Sequence, residues 1–289
     1  MTPIIMDGKA VADKICKELR DHCDMMRLDG IQPKLTIVTS GDDNASKVYV
    51  RNKIKRCEEI GIEVDVRHYP LLDSLDIGLL CASINNPMII QEPIAGKATH
   101  VDVSKHILPW YDVDGFSEFN VSAVAMGFKP SHYPCTPKGI MRLLAEYAVP
   151  LEGKSVCIIG RSNIVGRPIA RMMEQVGATV TLCHSKTPEN VLYEAIMNSD
   201  VVVSAVGKRN IISYNRANIV THWNMNWSDK VIVDVGINRD ENGKLCGDIG
   251  MDVKDCCKMY TPVPRGVGPM TVAMLMENVI EYYEKSIDI

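Results

Sequence analysis

The sequence predicts an α/β protein with two parallel sheets that belong to two successive domains. Short apolar runs alternate with amphipathic segments in both halves of the chain, as in strands joined by right-handed helical crossovers. The alternation is interrupted at Tyr133-Pro-Cys-Thr-Pro137. We therefore expect a domain boundary there, followed by a connecting helix over residues 138–147 with Pro137 just ahead of it.

The composition is that of a globular protein. The chain has 289 residues, of which 46% are hydrophobic and 24% are charged, enough for domains with real cores. The formal net charge of −4 offers no basic excess for a nucleic acid or an anionic membrane. No apolar run approaches the ~20 residues of a membrane span, and the N-terminus has no signal or transit character. These features predict a cytoplasmic protein without nucleic-acid or membrane partners.

The ten cysteines are scattered and form no Cys-x-x-Cys pair, and the seven histidines show no ligand spacing. Cys256 and Cys257 are adjacent, which is a poor geometry for a ligand pair or a simple bridge. We expect most of the cysteines to be reduced and buried as small apolar residues. We expect no metal site.

The first half of the chain is predicted to alternate helices and strands. The pattern indicates a helix over 8–27, a strand over 35–39, a helix over 45–60 ended by Gly61, a strand over 64–69, a helix over 75–83 and a strand from Pro87 to Ile94.

Ser46, Tyr49 and Lys53 are the unusual polar residues of the second helix. Tyr49 and Lys53 are one turn apart on the same face. One interpretation is a solvated face with an aromatic–lysine contact. The other is a lysine at the edge of an apolar cleft, where it acts as a proton acceptor oriented by the tyrosine.

Polar residues also follow the strand that begins at Pro87. Gln91 and Glu92 come at its carboxyl end, where open α/β sheets bind ligands, so they are candidates both for a site and for a loop. Further on, Asp112 and Asp114 precede Gly115 in a turn that polar turn chemistry alone would also explain.

The second half begins a new α/β unit at Ser155. Strands are expected over 156–159, 179–183, 201–205 and 231–235, with helices between them. Asn242-Gly243 predicts a hairpin within residues 237–248, and a final helix is predicted from Thr271 to about Glu284.

Gly160 and Gly166 frame the turn after the first of these strands. A strand, a glycine turn and a helix start can present backbone N–H groups to a phosphate, although Ser162 replaces the usual second glycine, and a purely structural turn is the alternative. The strand over 179–183 ends in His184-Ser-Lys186, without the acid that binds the ribose of NAD. Together with Arg161, these residues favour a 2′-phosphate, and hence NADP.

Several ordered motifs, spread over essentially the whole chain, then resemble one family. They are Ser46-x-x-Tyr49-x-x-x-Lys53, Ile90-Gln91-x-Pro93, Asp112-Val-Asp-Gly115, Pro134-Cys-Thr-Pro-x-Gly139, Gly160-Arg-Ser-Asn-Ile-Val-Gly-Arg-Pro168, Ala205-Val-Gly207, Asp234-Val-Gly-Ile-Asn238 and Thr261-Pro-Val-Pro-x-Gly-Val-Gly-Pro-Met-Thr271. In this order they resemble the bifunctional methylenetetrahydrofolate dehydrogenase/cyclohydrolase (FolD-type) family.

The resemblance implies a fold and two reactions. It implies a folate-binding and catalytic domain over residues 1–137, completed by the C-terminal helix at 271–289, a Rossmann-like NADP-binding domain over 138–270, and a folate cleft between them. It also implies NADP-dependent oxidation of 5,10-methylenetetrahydrofolate to the methenyl cation, hydrolysis of that cation to 10-formyltetrahydrofolate, and a homodimer.

The same resemblance implies roles for individual residues. Lys53 would transfer protons, Tyr49 would stack on or orient the pterin, Gln91 would tune the lysine, and Asp114 would hold the pterin ring. Substrate contacts are implied for Tyr49, Asp114, Ser46, Pro93, Gly266, Pro269 and Thr271. Cofactor contacts are implied for Gly160, Arg161, Ser162, Ile164, Val165, Ser185, Ala205, Val206, Gly207, Gly236, Ile237 and Thr271.

The chain departs from the family pattern at several positions. Glu92 replaces an apolar residue, Ala95 a proline, Ser122 and Arg265 glycines, and Arg209 a proline. We hypothesise that Glu92 and Arg265 pair, because an unpaired buried charge in the cleft would be costly; two independent solvated charges are the alternative.

Three other functions stay open at this point. They are a dehydrogenase with impaired cyclohydrolase activity, a shikimate-type NADP dehydrogenase, and a non-catalytic folate- or nucleotide-binding protein.

Overall fold

The computed structural model describes residues 2–213 and 226–287, and the chain divides into two compact units. The six-stranded unit comprises Met1–Val11 and Thr136–Thr271, and the three-stranded unit comprises Ala12–Cys135 and Val272–Ile289. The predicted α/β class with parallel sheets is confirmed. The domain boundaries inferred from the resemblance stay a prediction.

In chain order the strands and helices have the following bounds: β1 Ile4–Ile5, α1 Gly8–Leu28, β2 Lys34–Ser40, α2 Asn44–Ile60, β3 Glu63–Tyr69, α3 Ser74–Ser83, β4 Met88–Ile90, α4 His100–His106, α5 Glu118–Met126, α6 Cys135–Glu146, β5 Ser155–Ile159, α7 Gly166–Gln175, β6 Thr179–Cys183, α8 Glu189–Met197, β7 Val201–Ser204, β8 Val231–Asp234, β9 Asn238–Arg239, β10 Leu245–Cys246, α9 Met251–Lys254, β11 Met259–Tyr260 and α10 Val267–Ile287.

The three-stranded unit has a parallel sheet in the order β3–β2–β4. The central strand β2 is largely buried, and Val38 of this strand pairs in register with Ile90 of β4. Side chains from α3 and α4, including Ile77 and Val103, close the core against these strands. Parallel strands end at one edge of a sheet, so residues that follow β2 and β4 lie near one another.

The six-stranded unit has a parallel sheet in the order β1–β11–β8–β7–β5–β6. Strands β7 and β8 are buried along their whole length, as their continuous apolar runs predict. Strand β6 is at the edge and is mostly exposed. The predicted Asn242-Gly243 hairpin is confirmed, because β9 and β10 pair antiparallel and Gly243 has a positive φ of 76°.

Three element bounds differ from the prediction for reasons of backbone chemistry. Strand β4 ends at Ile90 rather than Ile94, because Pro93 has no N–H to offer a neighbouring strand. Helices α6 and α10 begin earlier than expected, at Cys135 and Val267, and take Pro137 and Pro269 into their first turns, where an N–H has no helical partner to lose.

The helix expected between β7 and β8 falls largely on residues outside the described ranges. Within residues 2–213 and 226–287, no helix is both long and apolar enough to cross a membrane. All ten cysteines are free thiols, and eight of them are buried, in line with the expected reduced state.

Candidate functional site

Helix α2 places Lys53 against the end of β4. The helix begins where the Asp43 carboxylate accepts a hydrogen bond from the Ser46 N–H at 2.6 Å, and it ends at Gly61, whose φ of 96° suits glycine. Lys53 Nζ donates a hydrogen bond to Gln91 Oε1 at 3.0 Å. The lysine amine is therefore held by the polar residue that directly follows the strand.

Gln91 is itself fixed by its neighbour. Its Nε2 donates to the Glu92 carbonyl oxygen at 2.8 Å, and its backbone N–H donates to the Val38 carbonyl of β2 at 2.8 Å. Both ends of the side-chain amide are therefore used, and its oxygen is left facing Lys53. The structure brings together Lys53 and Gln91, which the sequence could only place on separate elements.

Tyr49 lies one turn before Lys53 on α2. Its side chain is 43% exposed, and partial burial raises the pKa of its hydroxyl. Ser46 lies in the first turn of the same helix and is partly buried. Nearly half of Tyr49 is thus accessible to a ligand.

The turn at 112–116 lies beside β4, because Met88 of this strand bridges to Asp112. Asp112 is 1% exposed and accepts hydrogen bonds from the N–H groups of Gly115 and Ser117 and from Asn120 Nδ2. Burial raises the pKa of Asp112. Asp112 therefore holds the turn together, whereas the partly buried Asp114 is available for a ligand.

Glycine is required at position 115 of this turn. Its φ is 81°, and an added Cβ would lie 2.6 Å from the Pro134 nitrogen. The close approach of residues 133–134 keeps the turn in place.

Glu92 and Arg265, which we hypothesised to pair, each have another partner within their own unit. The Glu92 carboxylate lies 2.8 Å from His100 Nδ1, and the Arg265 guanidinium lies 2.5 Å from the Asp7 carboxylate. The φ of Arg265 is 84°, which explains why the family pattern has glycine there.

The Glu92–His100 contact changes the titration of both groups. The hydrogen bond to His100 lowers the pKa of Glu92, and the hydrogen bond to Glu92 raises the pKa of His100 above its ordinary value of 6.5.

Two other departures from the family pattern have simple surroundings. Arg209 pairs with Glu241 at 3.2 Å on the surface, and Ser122 lies within α5.

A second candidate site lies on the six-stranded unit, at the turn between β5 and α7. Gly160 has a φ of 116°, and an added Cβ would lie 2.4 Å from the Ala205 carbonyl oxygen. An added Cβ at Gly166 would lie 2.0 Å from the Gly160 carbonyl oxygen. The two glycines therefore let the turn fold back on itself and against the end of β7.

Ser162 organises the inside of this turn. Its hydroxyl accepts hydrogen bonds from the N–H groups of Val165 at 3.1 Å and Gly166 at 3.4 Å. Ser162 thereby stabilises the turn at the position where the usual dinucleotide fingerprint has its second glycine. Ile164 is 39% exposed beside it.

The turn also meets the end of β6. The Gly160 N–H donates to the Cys183 carbonyl at 2.9 Å, so Arg161 and the segment from His184 to Lys186 follow two paired strand ends. The side chains of Arg161, Ser185 and Lys186 are exposed. Two cationic groups are therefore available on this corner for an anionic ligand.

Asp248 is a residue that sequence reasoning missed. It is fully buried, and its carboxylate accepts hydrogen bonds from the hydroxyl of Ser204, the N–H groups of Val206, Gly207 and Lys208, and Asn238 Nδ2. An added Cβ at Gly236 would lie 1.9 Å from its Oδ1. One carboxylate thus holds the loop after β7 against the segment at Gly236 and Ile237.

A buried ion pair holds the backbone of Asp248. Asp234 accepts the Asp248 N–H at 2.8 Å and pairs with Lys254 Nζ at 2.7 Å. The only feature of the sequence that could have indicated the role of Asp248 is the position of an acid among apolar and glycine residues at 246–250. A hairpin strand would also explain that pattern.

The remaining predicted substrate residues, Gly266, Pro269 and Thr271, belong to the six-stranded unit. An added Cβ at Gly266 would lie 2.4 Å from the Pro262 carbonyl oxygen, and the hydroxyls of Thr271 and Thr136 are 3.0 Å apart. Pro93 belongs to the three-stranded unit and follows Glu92 through a cis peptide bond. In neither unit do the described residues include a group of three or more His, Cys, Asp and Glu side chains that could hold a metal ion.

Segments from both halves of the chain match two domains of one protein family. Residues 6–114 match the catalytic domain, and residues 134–287 the NAD(P)-binding domain, of the family described as tetrahydrofolate dehydrogenase/cyclohydrolase. The bifunctional protein FolD of Polaromonas naphthalenivorans is 40% identical over 292 residues, which cover 99% of this chain and 100% of that protein.

Two solved structures are similar over nearly the whole chain. The bifunctional enzyme FolD, a methylenetetrahydrofolate dehydrogenase/cyclohydrolase from Campylobacter jejuni, matches with a TM-score of 0.90 at 36% identity and covers 98% of this chain and 99% of that one. The N5,N10-methylenetetrahydrofolate dehydrogenase-cyclohydrolase of Trypanosoma brucei, complexed with NADP and an inhibitor, matches with a TM-score of 0.89 at 29% identity and covers 100% of both chains.

Proposed function

The chain belongs to the tetrahydrofolate dehydrogenase/cyclohydrolase family, and from this premise we propose two consecutive reactions for it. It oxidises 5,10-methylenetetrahydrofolate to 5,10-methenyltetrahydrofolate with NADP⁺, and it hydrolyses the methenyl cation to 10-formyltetrahydrofolate. The observation that carries this proposal is the hydrogen bond from Lys53 Nζ to Gln91 Oε1. This bond orients the Lys53 amine towards the residue that follows β4, the strand that bridges to the turn of Asp114. The partly exposed Tyr49 lies one helical turn before Lys53.

Lys53 is the proton-transfer residue of this proposal. The methenyl carbon already has a positive charge, so its hydration needs no strong acid, but the attacking water must lose a proton. We assign that proton to Lys53 Nζ, which Gln91 holds in one position. The bond from the carbon to N5 of the folate then breaks, the hydroxyl of the adduct loses its proton, and N5 gains one. Tyr49 orients the pterin, and the Asp114 carboxylate accepts hydrogen bonds from the pterin N–H groups.

The six-stranded unit suits a dinucleotide. Gly160 and Gly166 let the turn pack closely against itself and against the end of β7, next to the N-terminus of α7, where backbone N–H groups and the helix dipole favour a phosphate. Arg161, Ser185 and Lys186 bind the 2′-phosphate, and the loop at Ala205–Gly207 with Gly236 and Ile237 lines the nicotinamide half. When bound, NADP⁺ accepts the hydride from the methylene carbon.

Replacement of Lys53 tests the proposal. We expect Lys53→Ala to abolish hydrolysis of methenyltetrahydrofolate, because the proton acceptor is lost, while the affinity for NADP⁺ stays nearly unchanged. Hydrolysis is followed by the loss of methenyl absorbance, and NADP⁺ affinity by calorimetric titration.

Lys55→Ala is the matched control, because Lys55 lies on the same helix and its side chain is 76% exposed. This control should keep both activities. Hydrolysis at the wild-type rate by Lys53→Ala would contradict the assigned role. A wild-type chain that reduces no NADP⁺ with methylenetetrahydrofolate would contradict the proposed function as a whole.

The assembly and location are also part of the proposal. A homodimer follows from the family resemblance, and the exposed apolar side chains of Val66 on the edge strand β3 and of Leu75 and Leu79 on α3 support it. The eight buried free thiols favour a reducing compartment, which supports the cytoplasm.

A further inference from the structure

Hydrogen bonds on both the backbone and the side chain of Glu92 connect Lys53 with His100, the first residue of α4. Lys53 Nζ donates to Gln91, Gln91 Nε2 donates to the Glu92 carbonyl, and the Glu92 carboxylate lies 2.8 Å from His100 Nδ1. Glu92 therefore contacts Gln91 through its backbone and His100 through its side chain. The position of the catalytic lysine's partner depends on a residue whose side chain is tied to α4.

The same imidazole also contacts the turn that contains Asp114. The ring of His100 meets the ring of Phe116 edge to face, with centroids 5.5 Å apart. The negative charges of Asp114 and Asp112 favour its protonated form. His100 thus joins the two segments that hold the candidate folate residues, one after β4 and one at 112–116.

The charged groups around His100 are mainly acidic. Glu92 faces it from the end of β4, and Asp112 and Asp114 face it from the turn. On α4 itself, Asp102 accepts hydrogen bonds from Thr99 and from Ser74 of α3, so it is turned towards the helix start. The acidic residues that begin α3, Asp73 and Asp76, cap that helix reciprocally.

We propose that His100 is a positioning residue of the folate site, and that its protonated form ties the Gln91–Glu92 segment to the 112–116 turn. This inference rests on the proposed function, since it concerns how that site binds its folate substrate. The imidazolium gives Glu92 a charge-assisted hydrogen bond, whereas the neutral ring gives it only a weaker one. The site is therefore better ordered, and binds folate more tightly, when His100 is charged.

The direction of the pH dependence follows from the two pKa shifts. The pKa of His100 is raised above 6.5, mainly by the hydrogen bond to Glu92, and the pKa of Glu92 is lowered below 4.5, mainly by the hydrogen bond to His100. The charged pair is present between these two values and is lost as the pH rises through the pKa of His100. The KM for methylenetetrahydrofolate should then rise roughly three- to fivefold, a modest change because both side chains are partly exposed.

Two substitutions separate the pair from the rest of the site. In His100→Gln, the KM for folate should stay at the high value and show no step over the pH range in which the wild-type KM rises. In Glu92→Gln, the step should become smaller, because the charge-assisted hydrogen bond is lost, and what remains of it should move to lower pH, because the histidine loses its carboxylate partner. The KM for NADP⁺ should not follow this step in any variant. Thermal unfolding of each variant checks that it is folded.

His106→Gln is the matched control, because His106 is exposed at the other end of α4. It should reproduce the wild-type profile. A second readout needs no turnover: NMR titration of labelled histidine should give His100 a pKa above 6.5 in the wild type and a lower one in Glu92→Gln.

The outcomes separate the inference from the function on which it rests. A wild-type chain that is inactive at every pH would overturn the proposed function and this inference with it. An active wild type whose pH step persists in His100→Gln, or an equal His100 pKa with and without the Glu92 carboxylate, would overturn the inference alone.

Discussion

Arg161 is the residue on which we expect the choice between NADP⁺ and NAD⁺ to depend. Arg161 follows Gly160, whose N–H donates a hydrogen bond to the carbonyl of Cys183, the last residue of β6. The exposed guanidinium of Arg161 therefore lies near the end of β6, where we expect the adenosine ribose. The sequence predicted this corner because strand ends, glycine turns and the absence of an acid are all local features.

We expect Arg161→Ala to raise the KM for NADP⁺ about tenfold and the KM for NAD⁺ less than twofold, because only NADP⁺ has the 2′-phosphate that a charge-assisted hydrogen bond would recognise. Steady-state kinetics with both cofactors measure the two effects. Arg167→Ala is the control: Arg167 is also exposed, but its guanidinium donates to Asn163 on α7. An equal rise in KM for both cofactors in Arg161→Ala would mean that the arginine does not recognise the 2′-phosphate.

Glu92 and Arg265 show what prediction at the residue scale missed. Two opposite charges at unusual positions suggested each other as partners, but each pairs with a residue that no pattern had singled out, His100 in one unit and Asp7 in the other. Partner choice depends on the folded positions of side chains distant in sequence. A single histidine or a single aspartate forms no spacing pattern in the sequence that would identify it as the partner of a distant charge.

At the scale of elements, the loop after β7 depends on Asp248. Each carboxylate oxygen accepts at least two hydrogen bonds, Oδ2 from Ser204, Val206 and Gly207, and Oδ1 from Lys208 and Asn238. An asparagine would therefore direct its NH₂ group at other donors in either orientation. The loop cannot keep its geometry without the second oxygen.

We expect Asp248→Asn to lower the free energy of unfolding by about 2 kcal/mol, since buried backbone donors lose a charged acceptor. The KM for NADP⁺ should rise more than that for folate, because the loop belongs to the proposed cofactor site. Chemical denaturation and steady-state kinetics give the two values. Asp240→Asn, in the exposed turn of the hairpin where Asp240 also accepts backbone hydrogen bonds, should change neither by much. If it weakens NADP⁺ binding as strongly, the effect of Asp248 is not specific to the loop.

The elements themselves were largely predictable from sequence. The buried strands β7 and β8 are continuous apolar runs, and Gly61 and Asn242-Gly243 end a helix and make a hairpin through local backbone preferences. The network around Asp248 was not predictable, because it joins strand ends more than 40 residues apart in the chain.

On the scale of the whole molecule, the proposed homodimer gives a further prediction. The edge strand β3 offers unpaired backbone groups, and Val66, Leu75 and Leu79 are 45%, 71% and 62% exposed. We expect the wild-type chain to have the mass of a dimer in light scattering. A Leu75→Lys/Leu79→Lys double variant should shift it towards monomer, because buried lysines without partners are unfavourable.

Leu28→Lys serves as the control, because Leu28 is 82% exposed at the end of α1, away from the β3–α3 sequence segment. It should leave the mass unchanged. A monomeric wild type would refute the homodimer, and a dimer that persists in the double variant would place its interface elsewhere.

The interleaving of the two units along the chain has a consequence for synthesis on the ribosome. The edge strand β1 pairs with β11, which emerges only after more than 250 further residues. In the three-stranded unit, Asn278 of α10 is fully buried and donates to the carbonyls of Val113 and Tyr133. The six-stranded unit is therefore incomplete until β11 has been made, and the three-stranded unit until α10 has been made. During synthesis the apolar strands made earlier must avoid premature association until these elements leave the exit tunnel.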